Sequence, residues 1–209
     1  MAVSFGLFDT LVDADLPTDP AAAVADELDR LGVPVPDDWQ AAYDETHVDA
    51  PAGATVPLPA HVAHALRSRG VEAPNNAPRR AAVSAFDPAV RTRPGAVEAV
   101  KAARERGPVG LLADAPAPET VGRVLVRAEF SRTDFDAVVT SVGSGWEKPD
   151  PRAFETLARR LAVDPADLVH VGVVGRGDDG VVDAGGRFVD LADTSLAALA
   201  RRPERFDTD

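Results

Sequence analysis

The chain has 209 residues and no Cys, is 45% hydrophobic, and carries 34 Asp and Glu against 22 Lys and Arg, a formal net charge of -12. That length suits one core domain with a modest insertion, and the missing Cys excludes a disulfide framework and any thiolate metal site. The acidic balance disfavours a phosphate backbone, no apolar run reaches the ~18 residues of a membrane span, and residues 1–13 lack the basic start of a signal peptide. A cytoplasmic protein with no nucleic-acid or membrane partner is therefore expected.

In chain order, the apolar run 3–8 reads as a first buried strand. Residues 17–92 follow with no convincing strand. They read as a small helical insertion with one helix from Asp19 and Pro20 to a stop at Gly32, another from about Pro59 to Arg69 before Gly70, and Pro-rich linkers at 33–36, 57–59 and 74–78. Beyond it, helical patterns at 94–104, at 119–128 and after the Asp150 and Pro151 start signal alternate with apolar runs at 108–113, 137–142, 168–174 and 187–191. Strands alternating with helices predict an α/β fold, a mostly parallel five-stranded sheet covered on both faces. The division expected is a core of residues 1–16 and 93–209 and a helical cap of residues 17–92.

The basic residues are lopsided: only Lys101 and Lys148 are lysines, and the chain has no Ile, while Ala and Val abound. Such a composition is expected of a salt-accumulating halophile, in which surface acid is mainly a hydration device.

Ligands of an open parallel sheet sit at the carboxyl ends of its strands. Four segments there carry chemistry: Gly6-Leu7-Phe8-Asp9-Thr10-Leu11-Val12-Asp13, Leu111-Leu112-Ala113-Asp114, Gly145-Trp146-Glu147-Lys148-Pro149-Asp150-Pro151 running on to Phe154, and His170-Val171-Gly172-Val173 followed by Asp178. Together they resemble the haloacid dehalogenase (HAD) superfamily, in its dehalogenase-like branch with a helical cap after the first strand. The likeness covers essentially the whole chain, and residues 145–154 match the family's lysine segment in full. It implies a Rossmann-like three-layer core.

The same resemblance implies a damaged centre. The family's nucleophilic Asp falls on Gly6, which has no nucleophile, and the acid/base position falls on Phe8. Asp9 stands where glycine is usual, Thr10 belongs to the same loop, and the Ser or Thr of the second motif is Ala113, followed by Asp114. Lys148 keeps the lysine of the third motif. The first acid of the fourth is Val173, so Asp178 is the one remaining candidate ligand for a metal. A catalytically inactive relative, a pseudoenzyme, is expected, without cofactor, binding a small anionic ligand or a partner protein. The alternative is a hydrolase of small phosphate esters or haloacids with an atypical site, and Mg²⁺ only in that case.

Plainer readings stand beside these. Asp9 is expected as a turn acid rather than a relocated nucleophile, Asp114 as a helix or loop cap, and Lys148 as the partner of Asp178, since a solitary buried charge is costly. His47, His61 and His64 are expected as packed or solvated side chains rather than a metal site, and His170 as core. Arg79, Arg80, Arg91 and Arg93 are expected to pair with surface acids, and Trp39 and Tyr43 to pack the cap helices.

Overall fold

The computed structural model describes residues 1–74 and 76–206. Among the described residues seven strands form two sheets: β1 (Ala2–Gly6), β2 (Val12–Ala14), β3 (Val90–Thr92), β4 (Val109–Ala113), β5 (Ala137–Thr140), β6 (Leu168–Gly172) and β7 (Arg187–Asp190). The larger sheet is parallel throughout, in the order β5-β4-β1-β6-β7. β1 is central. The chain winds outward on one side of it and then crosses to the other, so its carboxyl end, at Gly6, faces the switch point where such sheets take ligands.

Nine helices accompany the strands among the described residues: α1 (Pro20–Arg30), α2 (Trp39–Asp44), α3 (Leu58–Ser68), α4 (Ala77–Ala85), α5 (Ala96–Arg104), α6 (Thr120–Arg127), the single-turn α7 (Ser141–Ser144), α8 (Pro151–Arg160) and α9 (Leu196–Arg201). None is long and apolar enough to cross a membrane. Alternation along the strands feeds two cores. Val3, Phe5 and Leu111 pack with Ala99, Val100, Val124 and Leu199 of α5, α6 and α9, whereas Ala2, Leu112 and Val139 pack with Phe154 and Leu157 of α8. The result is three layers.

The start signals act as read. Asp19 accepts from the Ala22 amide at 2.9 Å to open α1, and Asp150 accepts from the Arg152 amide at 3.0 Å to open α8, each with Pro in the first turn. Four of the five strands end one or two residues earlier than the apolar runs, because the chain turns as soon as it leaves the ladder, while β4 ends with its run at Ala113. After Gly6, the Leu11 and Val12 amides both donate to the Leu7 carbonyl.

Residues 17–92 are not wholly helical, which corrects the sequence reading. β3 lies at their end and pairs antiparallel with β2, Val12 opposite Thr92. Three-residue strands carry too few alternating positions to be seen in sequence. Helices α2 and α4 were likewise unforeseen. α2 has no capping side chain, and α4 begins inside a stretch that reads as a Pro-rich linker, since Pro78 occupies its first turn, where the missing N–H costs nothing. Helices α1 to α4 share a hydrophobic cluster of their own, with Val24, Leu28, Val62, Leu66 and Ala81 buried.

The loop before α3 fastens this cluster to the sheet. Thr55 N–H donates to the Gly145 carbonyl at 3.0 Å, Glu147 N–H to Gly53 at 2.9 Å and Leu58 N–H to Pro116 at 2.9 Å. Arg152 donates to the Ala52 carbonyl at 3.0 Å, and Arg79 of α4 pairs with Glu119.

Candidate functional site

At the carboxyl end of β1 the space beside Gly6 is filled by another residue. The loop after β6 returns Asp178, fully buried, so that its carboxylate lies against Gly6 and Gly172. A Cβ on Gly6 would stand 2.8 Å from Asp178 Oδ2 and 2.8 Å from Thr10 Oγ1; one on Gly172 would stand 2.1 Å from Asp178 Oδ2. Only glycine admits this approach without displacing the acid.

Three donors hold the carboxylate: Lys148 Nζ at 2.5 Å, His170 Nε2 at 3.0 Å and the Val173 N–H at 2.9 Å. Burial raises its pKa, but the hydrogen bond from His170 and the Lys148 ammonium outweigh that and bring it to about 2. Burial holds His170 below its ordinary pKa, so the neutral imidazole donates through Nε2 and accepts at Nδ1 from the Ser4 hydroxyl, 2.7 Å away. Ser4, His170 and Asp178 thus form a Ser–His–Asp chain, with the two ring nitrogens in the reverse of their roles in a serine-type triad. All three are fully buried, which leaves no path for a substrate to Ser4. Sequence reading found Lys148 with Asp178 and His170 in the core; it missed Ser4, whose role appears only when β1 pairs with β6 and sets it opposite His170.

The other strand-end residues divide between the core and a neighbouring cleft. Ala113 is buried in the core, and Thr10 Oγ1 is buried without a hydrogen-bond partner. Asp9 adopts φ 59°, the left-handed region natural to the glycine it replaces, and its half-exposed carboxylate pairs with Arg176 at 2.6 Å. It is a turn acid turned away from Lys148, whose carboxylate partner is Asp178. Asp114 caps no helix; it accepts from the Lys148 backbone N–H at 3.1 Å and so fixes the lysine loop. Burial raises its pKa, with Glu147 and Asp178 adding repulsion against the opposing pull of Lys148.

Asp114 also lines a cavity of about 400 Å³ beneath α1 to α4, whose walls include Phe8, Tyr43, Leu58 and Phe86 with Glu147 and Arg176. Tyr43 therefore serves both helix packing and the cleft, while Trp39 is buried and donates to the Ala21 carbonyl at 2.8 Å. Glu147 and Arg176 were missed as wall residues, although each lies within or beside a motif segment. His47 and His61 direct Nε2 to the carbonyls of Ala42 (2.6 Å) and Tyr43 (2.7 Å). The four arginines are split: Arg79 and Arg80 line a separate surface cavity, Arg91 stands in β3 opposite Asp13, and Arg93 of the loop after β3 holds the Asp9 carbonyl and lies 3.4 Å from Asp13.

The Mg²⁺ of the resembled family needs oxygen ligands where this chain has Gly6 and Val173. Asp178, the one carboxylate left, already faces two positively polarised side chains and an N–H, and among the described residues no three His, Asp or Glu side chains converge. The donor set does not fit the ion.

A family model described as haloacid dehalogenase-like hydrolase matches residues 1–172. Haloacid dehalogenase-like hydrolase domain-containing protein 3 of Homo sapiens is 46% identical over 41 residues, 20% of this chain and 16% of that protein, so the chain matches under a fifth of its curated relative's length. Among solved structures, a 2-haloacid dehalogenase from Pseudomonas syringae pv. Tomato DC3000 superposes with TM-score 0.62 at 22% identity, over 90% of this chain and 84% of that one. CbbY from Rhodobacter sphaeroides in complex with xylulose-1,5-bisphosphate does so with TM-score 0.59 at 18% identity and the same coverage. At these identities the superpositions speak for the fold, while the family match spans most of the chain: this protein belongs to the haloacid dehalogenase-like hydrolases.

Proposed function

We propose that this chain is a HAD-fold protein that binds a small molecule in the cleft between α1–α4 and the sheet without hydrolysing phosphate esters or haloacids. One observation carries the reading: the Asp178 carboxylate fills the space beside Gly6. Covalent catalysis of the family's kind requires an activated carboxylate projecting from that position. Here the position has no side chain, and the lysine that would steady the transferring group is engaged by Asp178. The remaining candidate nucleophile, Asp9, is held by Arg176 on the outer side of the turn. The cleft nevertheless keeps a binding site's character, concave and mainly apolar with a few polar groups.

The test is turnover of a broad panel of phosphate monoesters and 2-haloacids in molar KCl, with and without Mg²⁺. No turnover above the blank is expected. Turnover that scales with the protein and disappears in Asp9→Asn or Asp114→Asn would overturn the reading in favour of an atypical hydrolase.

A further inference from the structure

The walls of the cleft carry an unbalanced charge. Its cations are already engaged: Arg176 is paired with Asp9, and Lys148, behind the wall, with Asp178. His61 is held below its ordinary pKa by burial and directs Nε2 at a carbonyl, so it adds no positive charge. Its anions are not balanced. Asp114 receives a single backbone N–H, and no side-chain hydrogen bond or ion pair among the described residues holds Glu147. The two acids are close enough for Glu147 to raise the Asp114 pKa.

We propose that the cleft takes an organic cation, an amine or quaternary ammonium carried on an apolar or aromatic body; this deepens, and rests on, the reading of the cleft as a binding site. The cationic head would lie between Asp114 and Glu147, adding to the Lys148 charge that already acts on Asp114 and giving Glu147 a partner. The body would lie against Phe8, Tyr43 and Phe86, whose ring faces also attract a cation. A phosphate or carboxylate would instead meet two acids on the same wall. A bare metal ion would exchange its water shell for two carboxylates and an apolar wall, a poor trade for a hard cation. Its partial burial shields Asp114 in part from the screening that molar salt imposes on exposed charges such as Glu147.

The probes are phenethylamine, 2-phenylethanol and phenylacetate, alike in shape and different in charge, titrated into the full chain in molar KCl by calorimetry and thermal shift. Saturable binding of phenethylamine is expected, about 10-fold tighter than 2-phenylethanol, with phenylacetate weakest. Glu147→Gln and Asp114→Asn should each weaken the amine about fivefold or more and leave 2-phenylethanol unchanged. Asn keeps an acceptor for the Lys148 N–H, and Glu147 is exposed, so both variants should fold. Equal or tighter binding of phenylacetate or 2-phenylethanol, or an amine affinity unmoved by both variants, overturns the proposal while leaving the cleft as a binding site. Binding of none of the three overturns both.

Discussion

Two acids follow the strands on either side of β1, and their environments drive them in opposite directions. Asp178, after β6, is fully buried yet has its pKa brought down to about 2, because Lys148, His170 and the Val173 N–H converge on it. Asp114, after β4, is less buried yet raised, because burial outweighs the Lys148 charge and its one N–H partner, with Glu147 adding repulsion. Burial alone does not decide whether a carboxylate keeps its charge; the number and sign of its partners do. One region is a closed, internally satisfied network, and the other is an open wall with charge to spare.

Breaking the closed network should have the largest effect. Lys148→Met removes the ammonium from a carboxylate that no water reaches, and such a loss costs about 3–5 kcal/mol. Urea unfolding in molar KCl should show it as a large drop in midpoint. A loss under about 1 kcal/mol would mean that Asp178 does not depend on the lysine and that the two regions differ less than their partners suggest.

Acid should weaken the same network in two stages. His170 lies below its ordinary 6.5 in the folded chain, so the unfolded chain takes up the proton first; the stability this gives is present above about pH 6.5 and is lost as pH falls. Asp178 lies below its ordinary 3.8, so its share is present above about pH 4 and is lost as pH falls towards 2. Asp114, raised, acts in the opposite sense: its share is present at low pH and is lost as pH rises through its folded pKa. Comparing wild type with His170→Gln removes these common contributions. The wild type's advantage in Tm should shrink from about pH 7 to about pH 5, and a constant difference would contradict a neutral buried imidazole.

The smallest effect belongs to Asp9, which lies outside both regions. Asp9→Gly loses an ion pair whose side chains are 50% and 39% exposed, worth at most about 1 kcal/mol after solvent screening, and relieves a left-handed residue of comparable cost. Stability should change by less than about 1 kcal/mol. A larger loss would tie the Asp9–Arg176 pair to the closed network.

Much of this was legible without coordinates. The five parallel strands and the caps at Asp19 and Asp150 rest on local patterns, and the pairing of Lys148 with Asp178 on two charged residues placed at neighbouring strand ends. What escaped had no local signature. The β2–β3 ribbon is too short for periodicity, α4 was hidden by Pro78, and Asp114 reads as a cap until its only donor proves to be the Lys148 amide, 34 residues on.

The sequence by itself determined the alternation of the five main strands with helices, which is written in chain-local periodicity, and the residues at the strand ends by which the chain resembles its family. Only the tertiary structure decided which charges are spent and which are free. Pairing β1 with β6 sets Ser4 against His170 and closes the network around Asp178, and packing α1 to α4 against the sheet puts Asp114 and the exposed Glu147 on one cavity wall with aromatic side chains. Those outcomes depend on burial and on partners distant in the chain, quantities that no single segment carries.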